Sequence, residues 1–195
     1  MKAFSLRTVL VGSLLLALAA LTFAQGAAQA PAAKAPAPRP FSPRRSTEMG
    51  FGPRGQQKKV VVNYGSPAAR GRKVFGELVP YDQVWRLGAN EATSFTTEVN
   101  LVIGGQEVPA GSYTLFVKPG KDKWMLQINK ATGMWGIPYK AEYDATILTW
   151  VEMKVEATTT PTDRFLATLD RAGAESMLVF EWENTRASVS LAEKK

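Results

Sequence analysis

Residues 95–117, FTTEVNLVIGGQEVPAGSYTLFV, carry the pattern that decides the fold class. Every second residue from Phe95 to Ile103 lies on one mainly apolar face, a Gly-Gly pair follows, and the pattern resumes from Tyr113 to Val117. Period-two patterns are typical of β-strands with one buried face, and glycine pairs mark turns. The segment therefore predicts two strands separated by turns.

The same alternation recurs before and after this segment. The other runs are Val60–Tyr64, Trp124–Ile128, Val151–Val155, Phe165–Leu169, Leu178–Trp182 and Ala187–Leu191. With about eight short strands, regular turn signals and no amphipathic helix, the sequence predicts an all-β fold, an antiparallel β-sandwich of jelly-roll type. A closed barrel is the alternative. The long connection after the first strand is expected to carry a short helical turn at Tyr81–Val84, since Val79-Pro80 precedes it.

Four large aromatic residues occupy the apolar faces of these strands. Because alternate positions of a half-buried strand point into the core, we expect these side chains to be core residues and not ligand contacts. They are Trp124, Phe165, Phe180 and Trp182.

The composition excludes several kinds of chemistry. The 195 residues are enough for one domain of ordinary size, and 45% of them are hydrophobic, so a core is expected. The chain contains neither cysteine nor histidine. A disulfide framework, a Ser-His-Asp triad and a histidine-bound zinc ion are therefore excluded, and we expect no metal and no cofactor.

The formal net charge of +7 is concentrated at the start of the chain. Nine of the 24 basic residues precede residue 60, but only one of the 17 acidic residues does, which leaves 15 basic and 16 acidic residues afterwards. A nearly neutral domain lacks the basic surface that nucleic-acid binding requires, so no nucleic-acid partner is expected.

The first 24 residues, MKAFSLRTVLVGSLLLALAALTFA, have the pattern of a secretory signal peptide. Their apolar run is shorter than the roughly 20 residues that a spanning helix needs. We expect cleavage, export to the periplasm or the exterior, and no transmembrane segment in the mature chain. Residues 25–40 are rich in Ala and Pro and are expected to be a disordered tether. The β-sandwich domain is expected at residues 41–195, with its core starting near residue 59.

The connection from Arg70 to Thr93, RGRKVFGELVPYDQVWRLGANEAT, concentrates glycines, aromatic residues and polar side chains. One interpretation is structural. Phe75 and Trp85 would plug the core, and a turn would bring Arg86 against Glu91 in a bidentate ion pair.

The other interpretation of this connection is a shallow ligand site. Its aromatic rings would contact sugar faces or apolar groups, and its polar groups would orient the ligand. The candidate ligand-binding residues are Tyr64, Arg72, Tyr81, Trp85, Arg86, Asn90 and Glu91.

A catalytic alternative depends on Glu91. Together with Asp82, Glu142 or Asp144, it would supply the two carboxyl groups that glycoside hydrolysis uses. That chemistry requires a set separation of the two groups in three dimensions, so the sequence offers Glu91 as a catalytic candidate without fixing its partner.

Several motifs resemble one family of exported bacterial proteins, domain of unknown function 2911. The central motif is GRKVFGELVPY at residues 71–81 with VWRLGANEAT at residues 84–93, and PAGSYTL follows at residues 109–115. Further matches are Ser42-Pro43-Arg44, Trp124, Asn129, Gly136, Leu178 and Glu181-Trp182. Leu87 departs from the family pattern, where a small polar residue such as Thr is expected. The resemblance covers roughly residues 41–191 and implies an exported, mostly β domain with no established activity.

Three functions are consistent with these observations. The first is a non-enzymatic module that binds a small molecule, a glycan or an envelope protein through residues 70–93. The second is a carboxylate-dependent hydrolase that acts on an envelope glycan, and the third is a purely structural envelope protein. The absence of histidine and cysteine favours binding over catalysis. The sequence specifies neither the ligand nor the oligomeric state.

Overall fold

A computed structural model describes residues 42–172 and 175–195 of the chain. The predicted signal peptide and the predicted tether, at residues 1–24 and 25–40, lie outside the described residues.

Strands make up most of the described chain. They are β1 (Arg44–Phe51), β2 (Lys58–Gly65), β3 (Thr93–Thr97), β4 (Leu101–Ile103), β5 (Gln106–Val108), β6 (Gly111–Pro119), β7 (Trp124–Asn129), β8 (Ile147–Ala172) and β9 (Glu175–Glu193). A short 3-10 helix at Ala141–Thr146 precedes β8. Residues 81–84, where a helical turn was predicted, form a turn and a bend instead.

Within the described residues, all pairs of these strands are antiparallel, and they form one sheet of nine strands in the order β1-β2-β3-β6-β7-β8-β9-β4-β5. The predicted all-β antiparallel class is therefore confirmed. The strands are joined by one continuous set of hydrogen-bonded pairs, so the two separate sheets of a sandwich are not confirmed.

The sheet is continuous because β8 pairs with two neighbours in succession. Its first part, Ile147–Met153, pairs with β7, and its second part, Lys154–Ala172, pairs with β9. The register between β8 and β9 shifts twice between Ala157 and Leu166. Such irregularities bend a strand without ending it, and they explain why runs predicted as separate strands lie within β8 and β9.

The predicted strand Phe95–Ile103 is interrupted where it changes partners. β3 pairs with β6, whereas β4 pairs with β9 and β5. Between them the Thr97 hydroxyl donates to the carbonyl of Val99 at 2.7 Å and accepts from the Val99 amide at 3.2 Å. This local turn satisfies backbone groups that the ladder no longer pairs.

The core begins earlier in the chain than residue 59. β1 lies in a Gly-, Pro- and Arg-rich segment whose composition does not predict a strand. It nevertheless pairs with β2 over its whole length. Met49 and Phe51 of β1 are buried in the core. The amide of Leu169 in β8 donates to the hydroxyl of Thr47 at 3.2 Å, so the sheet curls until its β1 edge meets β8.

The predicted burial of the four aromatic residues is confirmed, although Trp182 also lines a cavity described below. Trp124, Phe165, Phe180 and Trp182 are each no more than 2% exposed. Burying a large apolar side chain contributes about 1.5–3 kcal/mol, so this cluster is a main source of the domain's stability.

No helix in residues 42–172 and 175–195 has the length and apolar character needed to cross a membrane.

Candidate functional site

The connection between β2 and β3, residues 66–92, is held against the sheet by backbone hydrogen bonds. We call it the first connection. The amide and carbonyl of Trp85 pair with the carbonyl and amide of Val117 at 2.7 and 2.8 Å. The amide of Asp82 donates to the carbonyl of Pro119 at 2.8 Å. Trp85 thus continues the pairing along β6 beyond the end of β3.

Two aromatic residues of the first connection close one part of the core, as predicted. Phe75 is 4% exposed, and its ring centroid lies 4.6 Å from that of Trp124. Trp85 is half-buried and stacks on Trp182 with 5.7 Å between ring centroids. The first connection is therefore a wall of the domain and not a loose loop.

A close backbone contact fixes the end of this connection. The Ala89 amide donates to the Gly65 carbonyl at 3.2 Å, and a Cβ atom placed on Gly65 would lie only 2.0 Å from the Ala89 carbonyl oxygen. Only glycine allows the two backbones to approach this closely.

A second connection, residues 130–146, packs against the first. The Ala92 amide donates to the Met134 carbonyl at 3.0 Å. A Cβ atom on Gly136 would lie 3.0 Å from the Cβ atoms of both Ala92 and Arg86, so Gly136 permits the two segments to touch.

A network of polar side chains links the second connection to β7. The Gln127 amide donates to the Tyr139 hydroxyl at 2.9 Å, and that hydroxyl donates to Asp144 Oδ1 at 2.7 Å. Burial first, and the hydrogen bond to Asp144 next, raise the pKa of Tyr139 to about 12. The side-chain amide of Asn129 donates a hydrogen bond to the carbonyl of Tyr143 and accepts one from the hydroxyl of Thr146.

An open cavity of about 380 Å³, which we call the Trp85 cavity, is lined mainly by the first connection, with Ile137 of the second connection and Trp182 of β9. Most of its walls are apolar side chains or backbone, and its cationic side chains are two arginines. The lining residues are Pro67, Arg72, Leu78, Val79, Pro80, Gln83, Val84, Trp85, Arg86, Gly88, Ala89, Ile137 and Trp182.

Arg86 lines this cavity and lies beside Trp135 of the second connection. Its Nη1 donates to the Trp135 carbonyl at 3.4 Å, and its guanidinium lies 5.3 Å from the centre of the Trp135 ring. Burial lowers the pKa of Arg86 from its ordinary value, while the nearby charge of Glu91 acts in the opposite direction. Arg86 nevertheless stays cationic, because an arginine pKa is far above neutral pH.

Arg72 also lines the cavity, and it belongs to the turn of the first connection that follows Ala69. Its Nε and Nη2 donate to the carbonyls of Ala69 and Ala68, each at 2.9 Å. These two bonds fix the orientation of the guanidinium, and three of its five N–H donors are not used by them.

The Arg86–Glu91 ion pair that the structural interpretation expected is not formed. Glu91 Oε2 instead lies 3.5 Å from Nη1 of Arg44 in β1. Leu87 and Asn90 have positive φ angles of 55° and 63°, so the chain turns twice between the two charges and carries Glu91 towards β1.

The structure places three of the seven predicted ligand-binding residues, Arg72, Trp85 and Arg86, around the Trp85 cavity. Tyr64 is 3% exposed and packs in the core against Phe165. The other three residues do not line the cavity. Tyr81 lies beside Gly76, the side-chain amide of Asn90 donates to the Ser42 carbonyl, and Glu91 pairs with Arg44.

The carboxylates considered for catalysis do not converge on this cavity. Glu142 lies 3.3 Å from Lys140 Nζ, and Asp144 accepts the Tyr139 bond. Asp82 belongs to a separate surface cavity with residues 118 and 120–123. Within the described part of the chain, no group of three or more acidic side chains is placed to hold a metal ion.

Sequence reasoning missed the most exposed apolar residues of the site. Leu78, Trp135 and Ile137 are 41%, 54% and 44% exposed; Leu78 and Ile137 line the cavity, and Trp135 covers Arg86. A large apolar residue within two positions of glycine or proline, in a segment without periodicity, is the signal that could have identified them.

A family model described as "Protein of unknown function (DUF2911)" matches residues 42–191 of the chain, which include the whole lining of the Trp85 cavity. No curated protein and no solved structure matches the chain.

Proposed function

The chain belongs to the DUF2911 family, as its motifs predicted, and we propose that it is an exported, non-enzymatic module that binds a small ligand in the Trp85 cavity. The segment that carries the family's central motif, residues 71–93, supplies most of the lining of this cavity.

The cavity itself is the observation that carries the proposal. Its volume of about 380 Å³ falls at the lower end of the range of small-molecule sites, roughly 300–1,000 Å³. Such sites combine mainly apolar walls with a few polar groups that orient the ligand. Here the aromatic walls are Trp85 and Trp182, and the orienting groups are Arg72 and Arg86.

The walls are held in place before any ligand arrives. Trp85 is fixed by its two backbone bonds to Val117 and by its indole N–H, which donates to the Gly88 carbonyl at 3.2 Å. Arg72 is fixed by two carbonyls. A preformed site loses little conformational entropy on binding, which favours affinity.

Binding is preferred over catalysis because of what the lining contains. Neither histidine nor any carboxylate is among the lining residues. The groups present can hold and orient a ligand, but an arginine is a poor general acid or base at neutral pH.

A binding experiment with the protein purified after export tests this proposal. The indole N–H of Trp85 serves as an NMR reporter during titrations with a panel of apolar acids, apolar alcohols, apolar amines and oligosaccharides. We expect saturable shifts at this reporter for at least one class. If no class shifts it, the cavity is not a ligand site and the proposal is wrong.

A pair of variants locates the binding. Ile137→Ser removes an exposed apolar wall residue and should weaken binding several-fold with little loss of stability. Met134→Ser is the matched control, because Met134 lies in the same connection but does not line the cavity. Equal affinity of both variants and the native protein would place the ligand elsewhere.

A further inference from the structure

We infer that the Trp85 cavity selects an apolar carboxylic acid: the arginines at its edge take the carboxylate, and its apolar walls take the hydrocarbon body. This inference rests on the proposed function and names the class of its ligand.

The charge of the lining is the first argument. Arg72 and Arg86 are both lining residues, and none of the lining residues is acidic. A neighbouring surface cavity differs in this respect: Arg72 also lines it, but its lining contains the acidic residues Asp163 and Glu183 as well. The cavity at residues 118–125 likewise mixes lysines with aspartates. The lining of the Trp85 cavity thus carries two cationic side chains and no carboxylate, which favours an anion.

The environment of Arg86 is the second argument. Its guanidinium is half-buried, and no salt bridge involves it among the residues that the structure describes. The nearest acidic side chain acting on it, Glu91, has Arg44 as its partner at 3.5 Å. A carboxylate beside Arg86 would form charge-assisted hydrogen bonds in a site that is partly shielded from water.

The apolar surface is the third argument. In residues 42–172 and 175–195, the exposed large hydrophobic side chains are Leu78, Trp135 and Ile137, and all three lie at this site. Exposed apolar surface gathered in one place marks an interaction site. Covering it with a hydrocarbon contributes about 25 cal/mol per Å² of apolar area removed from water.

The combination of a cationic Arg86 with mainly apolar walls selects a carboxylic acid over a more highly charged ligand. A doubly charged phosphate monoester loses more hydration on entering a mainly apolar cavity than a singly charged carboxylate does. A neutral hydrocarbon would leave the partly desolvated guanidinium of Arg86 without an anion.

The test compares three ligands with ten-carbon chains, the carboxyl carbon of decanoate being counted: decanoate, decanol and decyltrimethylammonium. Each is titrated into the full protein purified after export, with the Trp85 indole N–H as the NMR reporter. We expect decanoate to bind about tenfold more tightly than decanol, because a charge-assisted hydrogen bond contributes on the order of one decade in affinity. Decyltrimethylammonium should bind more weakly than decanol.

Substitution of Arg86 tests the role assigned to it. Arg86→Gln should remove the preference for decanoate over decanol, and Arg86→Lys should keep part of it. Arg45→Gln is the matched control: Arg45 is an exposed arginine of β1 that does not line the cavity, and its loss should leave the preference unchanged.

Equal affinity of the native protein for decanoate and decanol would overturn the inference but not the proposed function, because the cavity would still bind a ligand. Tighter binding of decyl phosphate than of decanoate would replace the assigned ligand class. If neither these ligands nor the wider panel binds, the proposed function itself fails.

Discussion

Tyr139 shows how one hydroxyl group couples the second connection to the sheet. It accepts a hydrogen bond from Gln127 of β7 and donates one to Asp144 of the 3-10 helix. The bond to Asp144 requires the proton, and ionisation would also place a phenolate next to a carboxylate. Burial and this bond together raise the pKa of Tyr139 to about 12 from its ordinary value of 10.0.

The raised pKa of Tyr139 predicts a loss of stability in alkali. The native state keeps the proton up to about pH 12, whereas the unfolded chain loses it near pH 10, so the native state binds more protons between these values. The free energy of unfolding should therefore fall as pH rises through this window. Because Tyr139 is partly exposed, we expect a contribution of about 1 kcal/mol, fully present below pH 10.

Denaturant unfolding between pH 8 and about pH 12 measures this effect. Tyr139→Phe should be less stable than the native protein at pH 8 and should lack this part of the alkaline decline. Tyr143→Phe is the control, because Tyr143 packs 5.5 Å from the Tyr139 ring but takes no part in the Gln127–Asp144 bonds. Parallel pH profiles for Tyr139→Phe and the native protein would contradict the assignment.

At the scale of elements, the first connection acts as part of the core and as the wall of a cavity at once. Its inner side carries Val74 and Phe75, which are both buried. Its outer side carries Leu78, which is exposed and lines the Trp85 cavity. Neighbouring residues of one loop therefore differ in what they contribute.

Two substitutions in this loop separate stability from binding. Phe75→Ala removes a ring that contacts Trp124, Trp85 and Trp182, so we expect a loss of about 3–5 kcal/mol in the free energy of unfolding. Leu78→Ala should change it by no more than about 0.5 kcal/mol, because Leu78 is exposed. Urea unfolding of both variants measures the difference. Similar losses of unfolding free energy for the two variants would mean that the loop is not divided into core residues and cavity-lining residues.

At the scale of the whole molecule, β1 completes the domain. It is the edge strand of the nine-stranded sheet, and it covers β2 along its whole length. It also carries Arg44, which binds Glu91, and the adjoining Ser42 carbonyl accepts the bond from Asn90. A segment outside the predicted core thus fixes the end of the loop that carries the cavity.

Removal of β1 is expected to prevent stable folding. A chain that begins at Lys58 loses the buried Met49 and Phe51, each worth about 2–5 kcal/mol, from a domain whose total stability is about 5–15 kcal/mol. It also exposes the edge of β2, which favours aggregation. A chain that begins at Ser42 should unfold cooperatively. Circular dichroism melts and size-exclusion chromatography of the two chains compare them; a monomeric, equally stable Lys58 chain would show that β1 is dispensable.

Much of the strand pattern could be predicted because it is local. Alternation places residues 113–117 and 124–128 on strands whatever their neighbours are, and the same alternation identified Trp124 and Phe180 as core residues. β1 escaped detection because its Gly- and Arg-rich sequence has little alternation. Its strand is imposed by pairing with β2.

The candidate site was predicted only in part. Arg72, Trp85 and Arg86 were identified as chemically suited side chains, and they do meet around one cavity. Tyr64 was included because it is aromatic and polar, but its position on the inner face of β2 buries it. Ile137 was missed because it reaches the cavity from another connection.

The sequence by itself determined the all-β class, the aromatic core and the family motif, because strand periodicity and a contiguous motif are properties of neighbouring residues. Tertiary structure alone decided that Glu91 binds Arg44 instead of Arg86, and that Ile137 and Trp182 join residues 66–92 around one cavity. These outcomes depend on distances between segments that are far apart in the chain. Such distances are set only when the sheet curls and the two connections pack against each other.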